Sequence, residues 1–236
     1  RPVSSAASDV YKRQANILAI ETSSVYCSIG LKKNEDFFFE HSKEENSHGK
    51  SILSFIDLIL KKAGLKKNQI DFIALSVGPG SFTGLRVGCS VAQGLALGLE
   101  KKILPFSSLQ VLAQNFFLEN SCNQVYLVKE AHMNDLYIGH YHADENNLAI
   151  EAKEDNSIKK ENLINFIPVS TKEIICSDCP EQLNYFGKEQ LTPFINHAKG
   201  LLHLAFHSIE LEKNLKLPEQ IYPVYLSGSD QWKKAK

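Results

Sequence analysis

The run Gly78-Pro79-Gly80-Ser81-Phe82-Thr83-Gly84 joins an apolar segment to a long helical pattern, and it constrains the fold more than any other stretch of the chain. Its glycines permit positive φ and close backbone approach, and Pro79 stiffens the turn. Ser81 or Thr83 is placed to cap the helix that follows. A strand-to-helix turn of this kind suits an anion cradle at a helix N-terminus. Its spacing is neither Gly-x-x-x-x-Gly-Lys-Ser/Thr nor Gly-x-Gly-x-x-Gly, and no lysine follows. The loop therefore predicts an α/β fold without predicting a nucleotide.

Around it, apolar period and turn signals read as strands over 16–21, 25–31 and 36–41, then a helix over 47–63 closed by Gly64. A strand over 70–77 leads into the glycine loop. Next come a helix over 83–99, a strand over 103–106, and a helix reaching 119 that Ser107 or Ser108 caps. After Asn123 the series restarts, with strands over 124–130, 135–142 and 148–152 and a helix over 159–167. A strand over 173–176 and a helix over 198–215 complete it. A βββαβαβα order given twice predicts two lobes, each a mixed sheet with helices on its faces. The lobes are expected at 16–106 and 107–236, with the C-terminal segment packing back on the first. Residues 1–15 are read as a disordered tail or an artefact. Paired lobes hold their ligand in the cleft between them. The first strand ends at the cleft in Glu21-Thr22-Ser23, the place of a phosphate loop.

Two helices carry more apolar surface than one sheet covers. A helix packed on one side needs a stripe of ~100°. On 47–63, Ile52, Leu53, Phe55, Ile56, Leu58, Ile59, Leu60 and Ala63 spread over roughly 220°. On 83–99, Arg86, Ser90 and Gln93 share one polar arc of roughly 60°. Gly84, Gly88, Gly94 and Gly98 also lie on this helix, each costing ~1 kcal/mol relative to Ala, so close packing is expected. Both helices are either interior or a helix–helix interface with another chain. The interface reading selects Ile52, Phe55, Ile56, Ile59, Arg86, Ser90, Ala92, Gln93 and Leu97. On that reading Ile56→Asp or Ala92→Arg leaves a soluble lobe that has lost its partner; on the interior reading both variants unfold.

The segment Ile17-Leu18-Ala19-Ile20-Glu21-Thr22-Ser23-Ser24, the run from Gly78 to Gly88 and Ala92-Gln93-Gly94-Leu95-Ala96-Leu97-Gly98 together resemble the TsaB (YeaZ) family. That family is the bacterial partner of the enzyme making threonylcarbamoyladenosine in tRNA. The resemblance covers nearly the whole chain from Asn16, and its specific part is 78–98. Pro223-Val224-Tyr225-Leu226, followed by Trp232-Lys233-Lys234, is similar to the family's ending. The resemblance implies a two-lobed actin-like (ribonuclease H-like) fold and a non-catalytic subunit without a cofactor. It further implies pairing with a TsaD-like catalytic subunit through the two apolar helices, a TsaE-like ATPase as a third component, and tRNA reached indirectly. The same helices are candidates for homodimerisation when the partner is absent. This chain departs from the family in having Glu21 where Asp is usual, and Glu130-Ala131-His132-Met133-Asn134-Asp135 where the family has Asp-Ala-Arg-x-Gly-Glu.

Catalytic alternatives of the same superfamily, a stand-alone metalloprotease or an ATPase, find little support in the residues. His48 is followed four residues on by Ile52, which cannot ligate a metal. His203 and His207 share a helix face, yet no Glu lies between them as a protease base. His140 and His142 share one side of a strand without an evident third ligand. Glu21-Thr22-Ser23 lacks the glycine of a phosphate clamp, and Gly139, Gly187 and Gly200 are isolated. Cys27, Cys89, Cys122, Cys176 and Cys179 read as reduced core residues of a cytoplasmic protein, and the one Cys-x-x-Cys is a weak redox or zinc signal. A net charge of −1 gives no overall bias toward nucleic acid, although Lys233, Lys234 and Lys236 form a small basic tail. No apolar run approaches the ~20 residues that span a bilayer, so no membrane partner is expected.

Overall fold

The computed structural model describes residues 14–42, 48–131, 134–168, 173–180, 183, 186, 191–193, 196–210 and 214–226. Of the expected tail only Gln14 and Ala15 lie within these residues, and Ala15 is already core, while Asn16 after it is tied to Asp71.

The first sheet is built on β1 (Ile17–Glu21), a strand buried along its whole length. Such a strand must be apolar on both sides, and its alternation serves two cores. Ile17 and Ala19 face one cluster, Leu18 and Ile20 the other. β2 (Ser28–Lys33) and β3 (Asp36–His41) continue antiparallel, through a turn where Asn34 takes φ 53°. β4 (Phe72–Gly78) and β5 (Lys102–Ser107) run parallel on the other side, giving the order β3-β2-β1-β4-β5. α1 (His48–Ala63) and α2 (Phe82–Leu99) cover the face that carries Leu18, Ile20, Ile73 and Leu75.

The second sheet, of β6 (Gln124–Glu130), β7 (Asp135–Ala143), β8 (Ala149–Lys159), β9 (Ile174–Ser177) and β10 (Leu191–Pro193), has the order β10-β9-β6-β7-β8. Matching β1 to β6, β2 to β7 and onward reproduces the first sheet's order. The expected two-lobed, actin-like α/β architecture is the one observed, and the βββαβαβα series is complete in the first half.

Each half sends its last helix to the other half's sheet. α3 (Ser108–Glu119), capped by the Ser107 hydroxyl, packs Leu109, Leu112 and Phe116 under β6 and β7 through Val125, Leu127 and Tyr141. A single helical turn, α4 (Leu163–Phe166), follows β8. α5 (Ala198–Glu210) comes from the second half, yet it packs Leu201, Leu202 and Ala205 against Ile17, Ala19, Ala74 and Leu104 of the first. The two helices meet where Gly200 lies against Asn115, whose side chain accepts from the Gly200 N–H (2.8 Å) and donates to the His197 carbonyl (2.9 Å). The first lobe therefore owns α5 and the chain that follows it, more than a boundary at 107 implies.

Two expected helices change, and one strand is new. The helix expected over 159–167 shrinks to a 3₁₀ turn (Lys160–Asn162) and α4, because β8 runs on to Lys159 and commits Ile158 to the sheet core. Within the described residues α5 is helical to Glu210, and Leu215 instead lies beyond Asn214, which has φ 62°. β10 had no counterpart in the sequence reading; its three residues carry too short a pattern to show a period.

Candidate functional site

Two regions hold the expected site residues: the cleft between the lobes, and the outer face of α1 and α2.

The cleft opens as a cavity of about 530 Å³. Ser23 and Ser24 after β1 line it with residues 80–83, and Lys129, Tyr137 and Asp178 face them from the second lobe. Glu21 ends β1 fully buried, and its Oε1 accepts the Ser23 N–H at 2.6 Å. The Ser23 carbonyl accepts both the Ser81 N–H (2.8 Å) and the Lys129 ammonium (2.9 Å). One peptide oxygen thus ties the end of β1 to the glycine loop and to the second lobe. Asn196 adds a further tie, donating to Ser23 Oγ (2.7 Å) and to the Ser108 carbonyl (3.0 Å).

The electrostatics follow from burial. Desolvation pushes the Glu21 carboxyl up, opposed by hydrogen bonds from Ser23 and by the Lys129 charge. Desolvation likewise pushes the Lys129 ammonium down, opposed by Asp178 and Glu21. Opposite charges that share a dry site offset part of each other's burial cost. Asp178, also pushed up by burial, uses Oδ1 to accept the Glu130 N–H at 2.9 Å. Among the described residues Glu21 Oε2 and Thr22 Oγ1 are buried without a hydrogen-bond partner.

The glycine loop is shaped for close approach. Ser81 is the helix cap, its Oγ accepting the Gly84 N–H at 3.2 Å, while Thr83 is exposed. A Cβ at Gly80 would collide with the Ser23 carbonyl, and one at Gly88 with the Thr22 hydroxyl. Gly78 has φ +122°, and a Cβ there would strike the Val224 carbonyl. Pro79 follows it through a cis bond, and Phe82 opens α2. What this arrangement does chemically is fasten: the polar groups of 21–23 are spent largely on the chain itself.

On α1 and α2 the expected interface set divides. Ile52, Ile56, Ile59 and Ala92 are at most 1 % exposed and belong to the core against the first sheet. For these four the interior reading holds, because the sheet lies directly under them. Gln93 is also spent internally, donating to the Pro218 and Ile221 carbonyls at 3.1 and 3.0 Å. Arg86 is exposed, but its guanidinium stacks 3.8 Å from the Phe82 ring and its Nε donates to Tyr225 Oη at 3.1 Å. Phe55 is half-buried, Ser90 is exposed, and Leu97 is 72 % exposed. A Cβ at Gly94 or Gly98, where close packing was expected, would meet nothing within 4 Å among the described residues.

The partner of Gln93 and Arg86 is a strap, residues 217–226, that crosses α2 and joins β4 where the Val224 N–H reaches the Val77 carbonyl (2.7 Å). In the sequence, 223–226 carries only a family likeness. Its apolar and aromatic residues, with Tyr222, Val224 and Tyr225 partly exposed, were the available signal.

The other candidates separate. Cys176 packs under α3 and Cys179 joins the cluster on the opposite face of the sheet, so the Cys-x-x-Cys does not converge. Burial pushes the Cys27 and Cys89 thiols up to about 12 and about 11, which leaves them inert. The His203 and His207 rings meet at a tilt, 5.0 Å apart, and burial holds His203 down to about 4. His140 stacks on Tyr126 and lies 3.0 Å from Glu173. Among the described residues no three His, Cys, Asp or Glu side chains are placed to hold a metal. No described helix is long and apolar enough to cross a membrane. The side chain of His48, and His132, Gly187, Trp232 and the basic tail, lie outside the described residues.

Comparison with known proteins gives this geometry its relatives. Residues 42–176 match the family model described as TsaD, tRNA N6-adenosine threonylcarbamoyltransferase. The chain is 29 % identical over 229 residues to the Escherichia coli tRNA threonylcarbamoyladenosine biosynthesis protein TsaB, covering 92 % of this chain and 97 % of that one. It is 40 % identical to the Haemophilus influenzae protein of the same name over 121 residues, about half of each chain. The solved structure of YeaZ from Pseudomonas aeruginosa superposes with a TM-score of 0.81 at 26 % identity, over 90 % of this chain and all of that one. A tRNA N6-adenosine threonylcarbamoyltransferase of Prosthecochloris aestuarii matches over only 73 residues, 21 % of its own length. The family model covers residues 42–176 and the transferase relative only 73 residues, while the near-complete matches in sequence and in structure are to TsaB and YeaZ, so this chain belongs to the TsaB (YeaZ) family.

Proposed function

We propose that the chain is a non-catalytic subunit of the complex that forms threonylcarbamoyladenosine in tRNA next to the anticodon, and that it acts in the cytoplasm by pairing with a TsaD-like catalytic subunit. The observation that carries this reading is how the chain uses its own cleft. The Glu21 carboxylate takes the Ser23 N–H and the Lys129 ammonium takes the Ser23 carbonyl, so the loop that would wrap a phosphate is bound to its own lobes. The surface of α1 and α2 supports the pairing. Leu53 on α1 and Leu97 on α2 are exposed, and the open positions Gly94 and Gly98 on α2 allow a second helix to approach closely. The contact set is Phe55, Ser90 and Leu97 from the sequence reading, with Leu53 replacing the buried isoleucines, and Arg86 with Phe82 and Tyr225 at one end. A TsaE-like ATPase completes the assembly, and in the absence of the catalytic subunit the same ridge supports a homodimer.

The test is capture of the TsaD-like protein by this chain, followed by reconstitution of tRNA modification with and without it. The expected result is a stable pair and modification that depends on the chain. Modification proceeding unchanged without it would sink the reading, as would ATP turnover or peptide cleavage by the isolated chain.

A further inference from the structure

At the end of the first sheet opposite the cleft, two chain reversals come together. β4 and β5 both begin there, Phe72 pairing with Lys102, and α1 and α2 both finish there. Between the ends of the two helices lies a groove of about 590 Å³ with a floor of Leu60, Leu65 and Leu99 and a rim of Lys61, Lys66 and Lys67. Lys101 and Lys102 come after Leu99 and the acidic Glu100, and Lys216 joins from the far side, bridging to Ile103 of β5. The acidic residues nearby are fewer. Asp57 on the groove is paired with Lys67 at 2.8 Å, and Lys62 is paired with Glu40. Among the described residues Lys61, Lys66 and Lys101 form no ion pair.

A chain of net charge −1 that gathers lysines at one sheet end has a local positive field there. Lysines are flexible, strongly hydrated point charges suited to phosphates rather than to planar bidentate recognition. Among the described residues lining the groove there is no arginine or aromatic ring to read or stack a base. The chemistry fits a polyanionic backbone held without sequence readout. We propose that this basic groove docks the sugar–phosphate backbone of tRNA, with Lys61, Lys66 and Lys101 as its phosphate contacts. The proposal rests on the role in tRNA modification given above and adds a direct RNA contact, where the sequence reading expected tRNA to be reached only through partners.

The test uses the full chain, alone and with the TsaD-like subunit, and an unmodified tRNA transcript titrated at several salt concentrations. The variant is Lys61→Gln, Lys66→Gln and Lys101→Gln together, with Lys153→Gln on exposed β8 as control. Each phosphate contact contributes roughly 0.7–0.9 to the slope of log affinity against log salt. The triple variant is therefore expected to lose about 2–3 from the slope and roughly tenfold or more in affinity, with an unchanged unfolding temperature and unchanged capture of the catalytic subunit. Unchanged affinity and slope overturn the proposal, as does the absence of salt-dependent tRNA binding by the wild-type chain in both settings. Equal loss of binding to poly-glutamate marks a generic polyanion site, and lost capture of the catalytic subunit with tRNA binding intact marks a protein-docking site; either result overturns it too. If modification proves independent of the chain while the triple variant still weakens tRNA binding, the role falls and the surface stands.

Discussion

Asp155 projects from β8 to the N-cap of α3, where its carboxylate accepts from the Ser107 hydroxyl and, at 2.8 Å, from Tyr141 Oη. Gly139 leaves the room, since a Cβ there would crowd Asp155 Oδ1. Burial is the main cause that raises this carboxyl from 3.8 to about 6, and the two hydrogen bonds oppose it. An acid whose folded value is raised binds its proton more tightly when folded, so its contribution to stability is present in full below about 4 and is lost as pH rises through about 6. A rise of this size corresponds to on the order of 2–3 kcal/mol. Asp155→Asn keeps a neutral group of the same shape at the Ser107–Tyr141 junction. The advantage of the variant over wild type is therefore expected to grow between pH 4 and pH 7, read as urea midpoints at four pH values. A difference that stays flat across that range would show that Asp155 is not the titrating group. Lys129 differs in kind, because its buried charge faces Asp178 and Glu21 together, and removing it takes away the opposing charge of both buried carboxyls.

At the scale of elements, α2 shows what a helical pattern can and cannot say. Its residues announce an apolar helix on nearly every side, which is correct, but the pattern does not say what covers each arc. The sheet covers Ala92 and Ala96, and the strap takes Gln93 through backbone carbonyls that leave no signature in sequence. Ile56→Asp and Ala92→Arg are therefore expected to cost on the order of 4 kcal/mol or more, by placing a charge where exposure is at most 1 %. Leu97→Asp, at a site 72 % exposed, is expected to stay within about 0.5 kcal/mol of wild type and to lose capture of the TsaD-like subunit. Thermal unfolding beside a capture assay separates the two classes, and full capture by Leu97→Asp would remove α2 from the interface. Elsewhere legibility followed period. β1 and β4 are apolar on both faces and were placed to within two residues, and α3 was placed with its capping serine. β8 ran past its expected end because its middle is largely exposed and shows no alternation.

The molecule as a whole is held by an exchange that no local pattern records. The duplication is legible, since both halves open with a three-strand meander, but the destination of α5 is not, because an amphipathic stripe fits either sheet. With α5 in place, Leu201, Leu202, Leu204, Ala205 and Ile209 are buried with Ile17, Ala19 and Leu104. Burying a side chain of this size contributes about 1.5–3 kcal/mol, so the four large ones together are worth roughly 6–12 kcal/mol. That is comparable to the whole stability of a typical domain, about 5–15 kcal/mol. The first lobe should therefore not be an independent folding unit. A fragment of residues 14–107 is expected to lack a cooperative thermal transition, because one face of β1, β4 and β5 would be bare. The same fragment joined through a flexible linker to residues 196–226, which supply α5 and the strap, is expected to regain one. Circular dichroism melts of the two proteins decide the matter. A sharp transition in the shorter fragment would mean that α1 and α2 suffice to hold the sheet and that α5 only bridges the lobes.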